Sequence, residues 1–348
     1  MSESVKFYGS PDFILREIGR ESLLVPVGQN NTFDNSMITL NETFVFLWKL
    51  FQKPTTLEAA IKGAKKEYDD GMNGNEQAMI DIHSHIVPGV DDGSDSLDES
   101  IDMMLAAYGS GVTVMTATPH CYPGLYENYA DGLVAERYKA LKREIVRLDV
   151  PVKLVRGMEC MADERLPEQI RSGLIWTLNG TSYLLMEFQF NEDPDFCAYM
   201  IGLLMEVGIH PVIAHPERYF FIQRNPDIAF DWCTGGCALQ LNKGSILGRF
   251  GQGPKRTAES LLRHGLAACL ASDAHGAVHR TADMADARLY IERLFGEKYA
   301  KLLTAENPKR MLQGRPLLGY RPIPYGEEDM TVERTIPYGE EDMTVERI

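Results

Sequence analysis

The chain has 348 residues, 44% of them hydrophobic and 24% charged, which is enough apolar material for a sizeable core and excludes a largely disordered protein. Its 35 Lys and Arg face 50 Asp and Glu, a net charge of -15 that argues against nucleic acid as a partner. No apolar run approaches the roughly 18 residues of a membrane span, no leader pattern opens the chain, and the six cysteines lack dense regular spacing, so reduced thiols and a cytoplasmic location are expected.

Residues 1–72 are expected to form a small winged-helix-like α+β domain. Two extended runs, Phe13 to Ile18 and Leu23 to Val27, precede Thr39-Leu40-Asn41-Glu42. There Thr39 or Asn41 is placed to cap a helix carrying Phe44, Leu47, Trp48 and Phe51 on one face. Pro54-Thr55-Thr56 ends that helix and starts another. A winged helix raises the question of DNA, but these residues hold 8 basic and 10 acidic side chains and no basic stripe. Residues 73–78, opening on Asn73-Gly74-Asn75, read as a linker.

From 79 to 318, short β-branched or apolar runs alternate with amphipathic stretches of helix length, the pattern of β/α units around a parallel sheet or barrel. Seven runs stand out: MIDIH at 79–83, VTVMTAT at 112–118, VKLVRGM at 152–158, YLLMEF at 183–188, PVIA at 211–214, CALQLN at 237–242 and AACLA at 267–271. Helices are expected near Leu97 to Tyr108, Val134 to Leu148, Cys197 to Val207 and Ala258 to His264. Residues 319–348 contain IPYGEEDMTVER twice, at 323–334 and 336–347, with 8 acidic and 2 basic side chains over 323–348. Two copies are too few for a solenoid, so an acidic disordered tail is expected. A sharper reading has Tyr325 and Tyr338 visiting an active site as tethered tyrosines.

The chemistry lies at the ends of the runs. His83 and His85 close the first, His120 follows the second, Glu159 follows the third, Glu187 ends the fourth, His215 follows the fifth, and Asp273 and His275 follow the seventh. In a β/α barrel those ends converge on one face, where the active site is built. One histidine after a strand is ordinarily structural; this many recurrences are not. The Asp91-Asp92-Gly93 turn adds another carboxylate. Imidazole and carboxylate without thiolate suit Mn, Fe or Zn, and the number of donors implies two or more ions, with Glu159 suited to bridging. Arg218, three residues after His215, and Arg280, five after His275, are suited to clamp phosphate oxygens. A cysteine-based phosphatase is excluded, because no cysteine is followed six residues later by the arginine of a phosphate loop. Lys243-Gly244-Ser245 lacks the upstream glycine of a nucleotide-binding loop.

The ordered elements DIHSHIVPGVDDGS, TATPH, RGMEC, LLMEF, AHPER, LQLNKGSILGRFG and ASDAHG resemble the PHP (polymerase and histidinol phosphatase) superfamily, and within it the bacterial capsule-type protein-tyrosine phosphatases. The resemblance implies a distorted (β/α)7 barrel with three divalent ions, often Mn. It implies attack of a metal-held hydroxide on phosphotyrosine of a protein, a bacterial tyrosine kinase of polysaccharide export. It also implies His83, His85, Glu159 and Asp273 around one ion, Glu159, Glu187 and His215 around a second, and Asp92, His120 and His275 around a third, with Arg218 and Arg280 on the phosphate. Between Asp91 and Asp92 the residues alone leave the choice open. Cys121 stands where many relatives have a second histidine. The segments LREIGRESLLVPVG and ITLNETFVFLWKLF resemble PqqD-like peptide-binding chaperones, implying a peptide or protein partner. The alternatives are an esterase for a small phosphate such as histidinol phosphate, or a peptide-binding adaptor working through the N-terminal domain; a homo-oligomer is compatible with each.

Overall fold

The structure, a computed structural model, describes residues 78–319 and 322–326, with 6–7, 13–18, 21–26, 38–40, 45, 48–56, 59–60 and 62–63 before them. The chain divides into two compact units, Met1–Glu76 with Ile145–Pro151, and Gln77–Glu144 with Val152–Ile348.

In the first unit, β1 (Lys6–Phe7) is followed by β2 (Phe13–Ile18), β3 (Glu21–Pro26), β4 (Ile38–Leu40) and β5 (Thr55–Thr56). Strands β2, β3 and β4 form an antiparallel sheet in that order, and β1 pairs antiparallel with β5. Thr39, one of the two expected caps, is instead a strand residue, paired with Leu23; the β-branched pair Ile38-Thr39 fits a pleated edge better than a helix start. Thr55 and Thr56 are likewise extended, although the Thr56 hydroxyl accepts the N–H of Ala59 at 3.2 Å and helical residues follow at 59–60 and 62–63. Trp48 is helical; Asn41, Phe44 and Leu47 lie outside the described residues.

The second unit carries the parallel strands. They are β6 (Met79–Ser84), β7 (Val112–Ala117), β8 (His120–Cys121), β9 (Lys153–Arg156), β10 (Glu159–Met161), β11 (Tyr183–Glu187), β12 (His210–Ala214), β13 (Ala238–Asn242) and β14 (Ala267–Ala271). Each of the seven expected runs contains a strand, but the second and third are followed by an extra short one. Pro119, which has no N–H to donate, separates β7 from β8. Gly157 separates β9 from β10; a Cβ there would stand 2.9 Å from Leu178. The described ladders are therefore two parallel sheets, β6-β7-β9 and β8-β10-β11-β12-β13-β14, in place of one continuous seven-stranded ladder. An isolated parallel bridge, Ser84 to Ala274, joins the end of β6 to the residues after β14.

Burial of both sheet faces explains the unbroken apolar strands. Ile82, Leu185, Val212, Ala214, Cys269 and Ala271 share one cluster with Met311 and Leu312. The helices match the expected stretches within a few residues at most ends: Leu97–Gly109, Leu133–Arg147, Pro194–Glu206 and, starting earlier than expected, Gln252–Arg263. Ser96 caps the first through the N–H of Glu99, and Asp193 caps the third through the N–H of Asp195.

The expected disorder from 319 onward is corrected in part. Ile323 donates its N–H to the His264 carbonyl at 2.9 Å, and its own carbonyl lies 2.9 Å from His264 Nδ1. Tyr325 stacks on the His264 ring, with centroids 3.7 Å apart, and its hydroxyl oxygen accepts from Ser260 at 3.1 Å. Backbone bonding and a ring stack override the polar composition here. Residues 327–348, including Tyr338, lie outside the described residues.

Candidate metal centre

The alternation of a strand puts His83 and His85 on the same side of the chain at the end of β6. Their Nε2 atoms are 3.2 Å apart. Both face Glu159 Oε2 at 3.2 Å, and both face Asp273 Oδ1, at 3.4 Å from His83 and 3.5 Å from His85. Glu159, opening β10, is the hub: Oε2 also lies 3.2 Å from His120 Nδ1, while Oε1 lies 3.2 Å from His215 Nε2. Glu187, ending β11, approaches His120 at 3.2 Å and His215 at 3.7 Å. Asp92 Oδ1 stands 3.5 Å from His120 Nε2 and 3.4 Å from His275 Nε2. All nine candidate metal ligands thus come together.

The grouping differs from the expected one: His85 and His120 each join a second set, and Asp273 and His215 fall outside the compact sets. Among the described residues, three sets of donor atoms are each compact enough for one ion: His83, His85 and Glu159; His120, Glu159 and Glu187; and His85, Asp92, His120 and His275. His120 belongs to two of them, one through each ring nitrogen. Asp92, half exposed, turns into the cluster. Asp91 points elsewhere, accepting from His85 Nδ1 at 2.8 Å and from the N–H of His120 at 2.9 Å.

The electrostatics fit cations. Burial alone would raise the Glu159 and Asp273 carboxyls, but the histidines around them hold both well below the usual carboxylate range, with Arg280 helping at Asp273. Burial disfavours charged imidazoles, yet the carboxylates raise His83, His85 and His120 above their ordinary value. Protons thus balance the carboxylates where divalent ions could. Glu159 Oε2, His120 Nδ1, His215 Nδ1 and Arg280 Nε are buried without a well-formed hydrogen bond among the described residues, and buried orphans of this kind call for a ligand. Three residues of the site, His215, Asp273 and Arg280, hold positive φ angles of 36°, 51° and 47°, costly for non-glycine residues and typical of functional sites. Gly93 is required because a Cβ there would lie 2.0 Å from the His85 carbonyl.

Arg280 donates to Asp273 Oδ2 at 2.6 Å, and Arg218 to the same oxygen at 3.4 Å. The Arg218 guanidinium also lies over the rings of Phe190, at 4.7 Å, and Phe250, at 4.5 Å. Both arginines line a cavity of about 270 Å³ together with the donor cluster. A larger cavity, about 440 Å³, is lined by the starts of β11 to β14 and contains none of these residues.

The family description "Capsular polysaccharide synthesis, CpsB/CapC" matches residues 79–313. The chain belongs to the CpsB/CapC family. It is 33% identical over 246 residues to the tyrosine-protein phosphatase YwqE of Bacillus subtilis, covering 71% of this chain and 96% of that one. It is 32% identical to the tyrosine-protein phosphatase CpsB of Streptococcus agalactiae, covering 68% and 98%. A solved structure described among YwqE from Bacillus subtilis and CpsB from Streptococcus pneumoniae, "unique metal-dependent tyrosine phosphatases", superposes with a TM-score of 0.68 at 32% identity, covering 72% of this chain and all of that one.

Several supports of this CpsB/CapC site escaped the sequence reading. Gln240 Oε1 lies 2.8 Å from His83 Nδ1 and Asn242 donates to Asp273 Oδ2 at 2.5 Å. Asp81 accepts from the N–H and hydroxyl of Ser272, at 3.0 and 2.5 Å, next to Asp273. The available signal was polar residues spaced by two on otherwise apolar strands: Asp81 before His83, and Gln240 before Asn242. The six cysteines are buried and unpaired. Burial raises the thiols of Cys197, Cys233, Cys237 and Cys269, and Cys121 and burial together raise Cys160, so none of these five is a ready nucleophile.

Proposed function

We propose that this chain is a metal-dependent protein-tyrosine phosphatase. The observation that carries the proposal is a carboxylate hub, Glu159, facing four histidines in a cavity that also presents two arginines. His83, His85, Glu159 and Asp273 would hold one ion, Glu159, Glu187 and His215 a second, and Asp92 and His275 a third, with His120 facing the last two groups. The donor set, imidazole and carboxylate without thiolate, suits Mn, with Fe or Zn as the other fits. Divalent ions bound there supply Lewis acidity toward phosphoryl oxygens and lower the pKa of water.

The chain's own groups do the rest. Arg218 and Arg280 turn planar N–H forks toward the substrate's anionic oxygens, and Phe190 and Phe250 keep the Arg218 fork in plane. Water displaces the tyrosine oxygen at phosphorus, giving inorganic phosphate and a phenol whose pKa near 10 makes it a better leaving group than a serine alcohol. The two sheets and their Ser84–Ala274 bridge support a distorted (β/α)7 barrel in which strand ends converge on this site.

Family membership supports a substrate in polysaccharide export, a phosphorylated tyrosine kinase. No helix among the described residues is long and apolar enough to cross a membrane. For residues 1–72 the proposal is a PqqD-like, winged-helix-like module that docks a peptide or protein. Assaying the purified protein with Mn against a phosphotyrosine peptide and histidinol phosphate tests the main reading; clear preference for histidinol phosphate would overturn it. Deleting residues 1–72 should spare hydrolysis of a small substrate and weaken capture of a protein one.

A further inference from the structure

The floor of the 270 Å³ cavity is charged, but its mouth is apolar. Leu125, 62% exposed, and Phe190, 37% exposed, are large apolar side chains left open to water, and both line this cavity with Tyr122 and Tyr126. Exposed apolar area beside a charged floor is unfavourable unless an amphipathic ligand covers it.

The rim is also built to hold its shape. Tyr122 and Tyr126 close a tight backbone loop, Tyr122 N–H to Tyr126 O at 2.9 Å and Tyr126 N–H to Tyr122 O at 2.8 Å, which sets Leu125 near its tip. Asn128 ties the following turn to the carbonyls of Val90 and His120, at 2.9 and 2.8 Å. The Gln189 amide donates to the Tyr122 hydroxyl, linking the loop after β8 to the loop after β11. On the inner side, the Tyr126 ring lies parallel to His120, with centroids 5.6 Å apart and planes 6° apart. Phe190 stands edge-on to His215 at 6.2 Å. Each wall therefore rests on a candidate metal ligand, which fixes its distance from the floor.

We infer that Tyr126, Leu125 and Phe190 form a slot for the phenyl ring of an aryl phosphate and are the residues that select phosphotyrosine over alkyl phosphates. The inference rests on the phosphatase reading and deepens it. An aryl ring between the walls leaves its phosphate at the arginines and donor cluster, while its peptide main chain remains outside the rim beside Leu125. Phosphoserine is shorter by a ring, so its main chain would have to enter between the walls, exchanging water for the largely apolar faces of Tyr126, Leu125 and Phe190.

The test compares kcat/KM for a phosphotyrosine peptide, the matching phosphoserine peptide and glycerol phosphate, in wild type, Leu125→Ser, Tyr126→Ser and Tyr126→Phe, with metal content measured for each. The ratio of aryl to alkyl efficiency should fall about ten-fold in each serine variant, mainly through KM for the aryl substrate, as expected for lost apolar contact in a pocket. Tyr126→Phe should restore the ratio. An unchanged ratio in enzymes with wild-type metal content would overturn the slot while leaving the phosphatase reading standing. Wild-type enzyme inactive on all three substrates would overturn that reading and the slot with it.

Discussion

His85 and Asp91 meet at 2.8 Å, Nδ1 to Oδ2, with the other ring nitrogen of His85 turned toward Glu159 and Asp273. One carboxylate oxygen thereby fixes the His85 ring and, through the N–H of His120, the backbone of a second candidate ligand. Its neighbour Asp92 does the opposite, offering an oxygen to the cluster itself.

The two adjacent aspartates should consequently fail in different ways. Asp91→Ala should weaken metal binding about 10- to 100-fold, the usual cost of losing a group that orients a ligating histidine. Asp92→Ala should remove one component of the binding isotherm and leave the rest. Metal titration followed by elemental analysis separates them. Wild-type affinity in Asp91→Ala would show that the His85 contact positions nothing.

Chelation should abolish activity and added Mn should restore it, whereas a thiol-alkylating reagent should do little to the folded enzyme because all six cysteines are buried. The metal-free protein should also show a characteristic pH response. The folded-state values of His83, His85 and His120 are raised above 6.5, so their proton-linked stabilisation is complete below the unfolded value and is lost as pH rises through the raised values. Melting temperature without metal should fall over that window. With metal bound, the histidines are already deprotonated and the fall should flatten. Full activity after chelation would sink the mechanism.

Arg218→Ala should keep its metal and lose about 100-fold in kcat, the scale for removing one donor to a developing anionic charge. Arg218→Lys should not rescue it, since an ammonium has neither the planar fork nor the face that packs between Phe190 and Phe250. Equal turnover by wild type and Arg218→Ala would remove Arg218 from the reaction.

The sequence exposed the candidate ligands for a physical reason: in parallel strands the apolar run must stop where the chain leaves the sheet, so a His, Asp or Glu there stands out. That logic located His83, Glu159, His215 and Asp273, and seven runs that each contain a strand. It did not give the short strands β8 and β10 that follow the second and third runs: Pro119, which has no N–H to donate, interrupts one ladder, and the break at Gly157 depends on Leu178 packing across it. The spacing of Gln240 and Asn242 marks them as polar on an apolar strand but not what they hold, and Phe250 carries no mark at all, because their roles come from side chains meeting between strands and loops far apart in the chain. Composition misled at Tyr325, where one ring stack and paired backbone bonds outweigh a polar context.

That tail contact decides between the two readings of the duplicated segment for its first copy. His264, the seat of Tyr325, precedes β14, while Asp273 follows it; the five residues of β14 separate the two by about 17 Å at ordinary strand rise. A docked Tyr325 therefore sits at the end of the sheet away from the donor cluster and cannot act there as a tethered competitor. Ending the chain at Leu318 should leave KM for a phosphotyrosine peptide unchanged. It should instead lower stability, since an aromatic stack is worth about 0.5–1.5 kcal/mol, or roughly 2–4 °C in melting temperature per kcal/mol for a domain of this size. Tyr325→Ala should reproduce most of that loss and Tyr325→Phe only the part due to Ser260. A KM that drops on truncation, with melting unchanged, would mean that the tail competes for the active site after all.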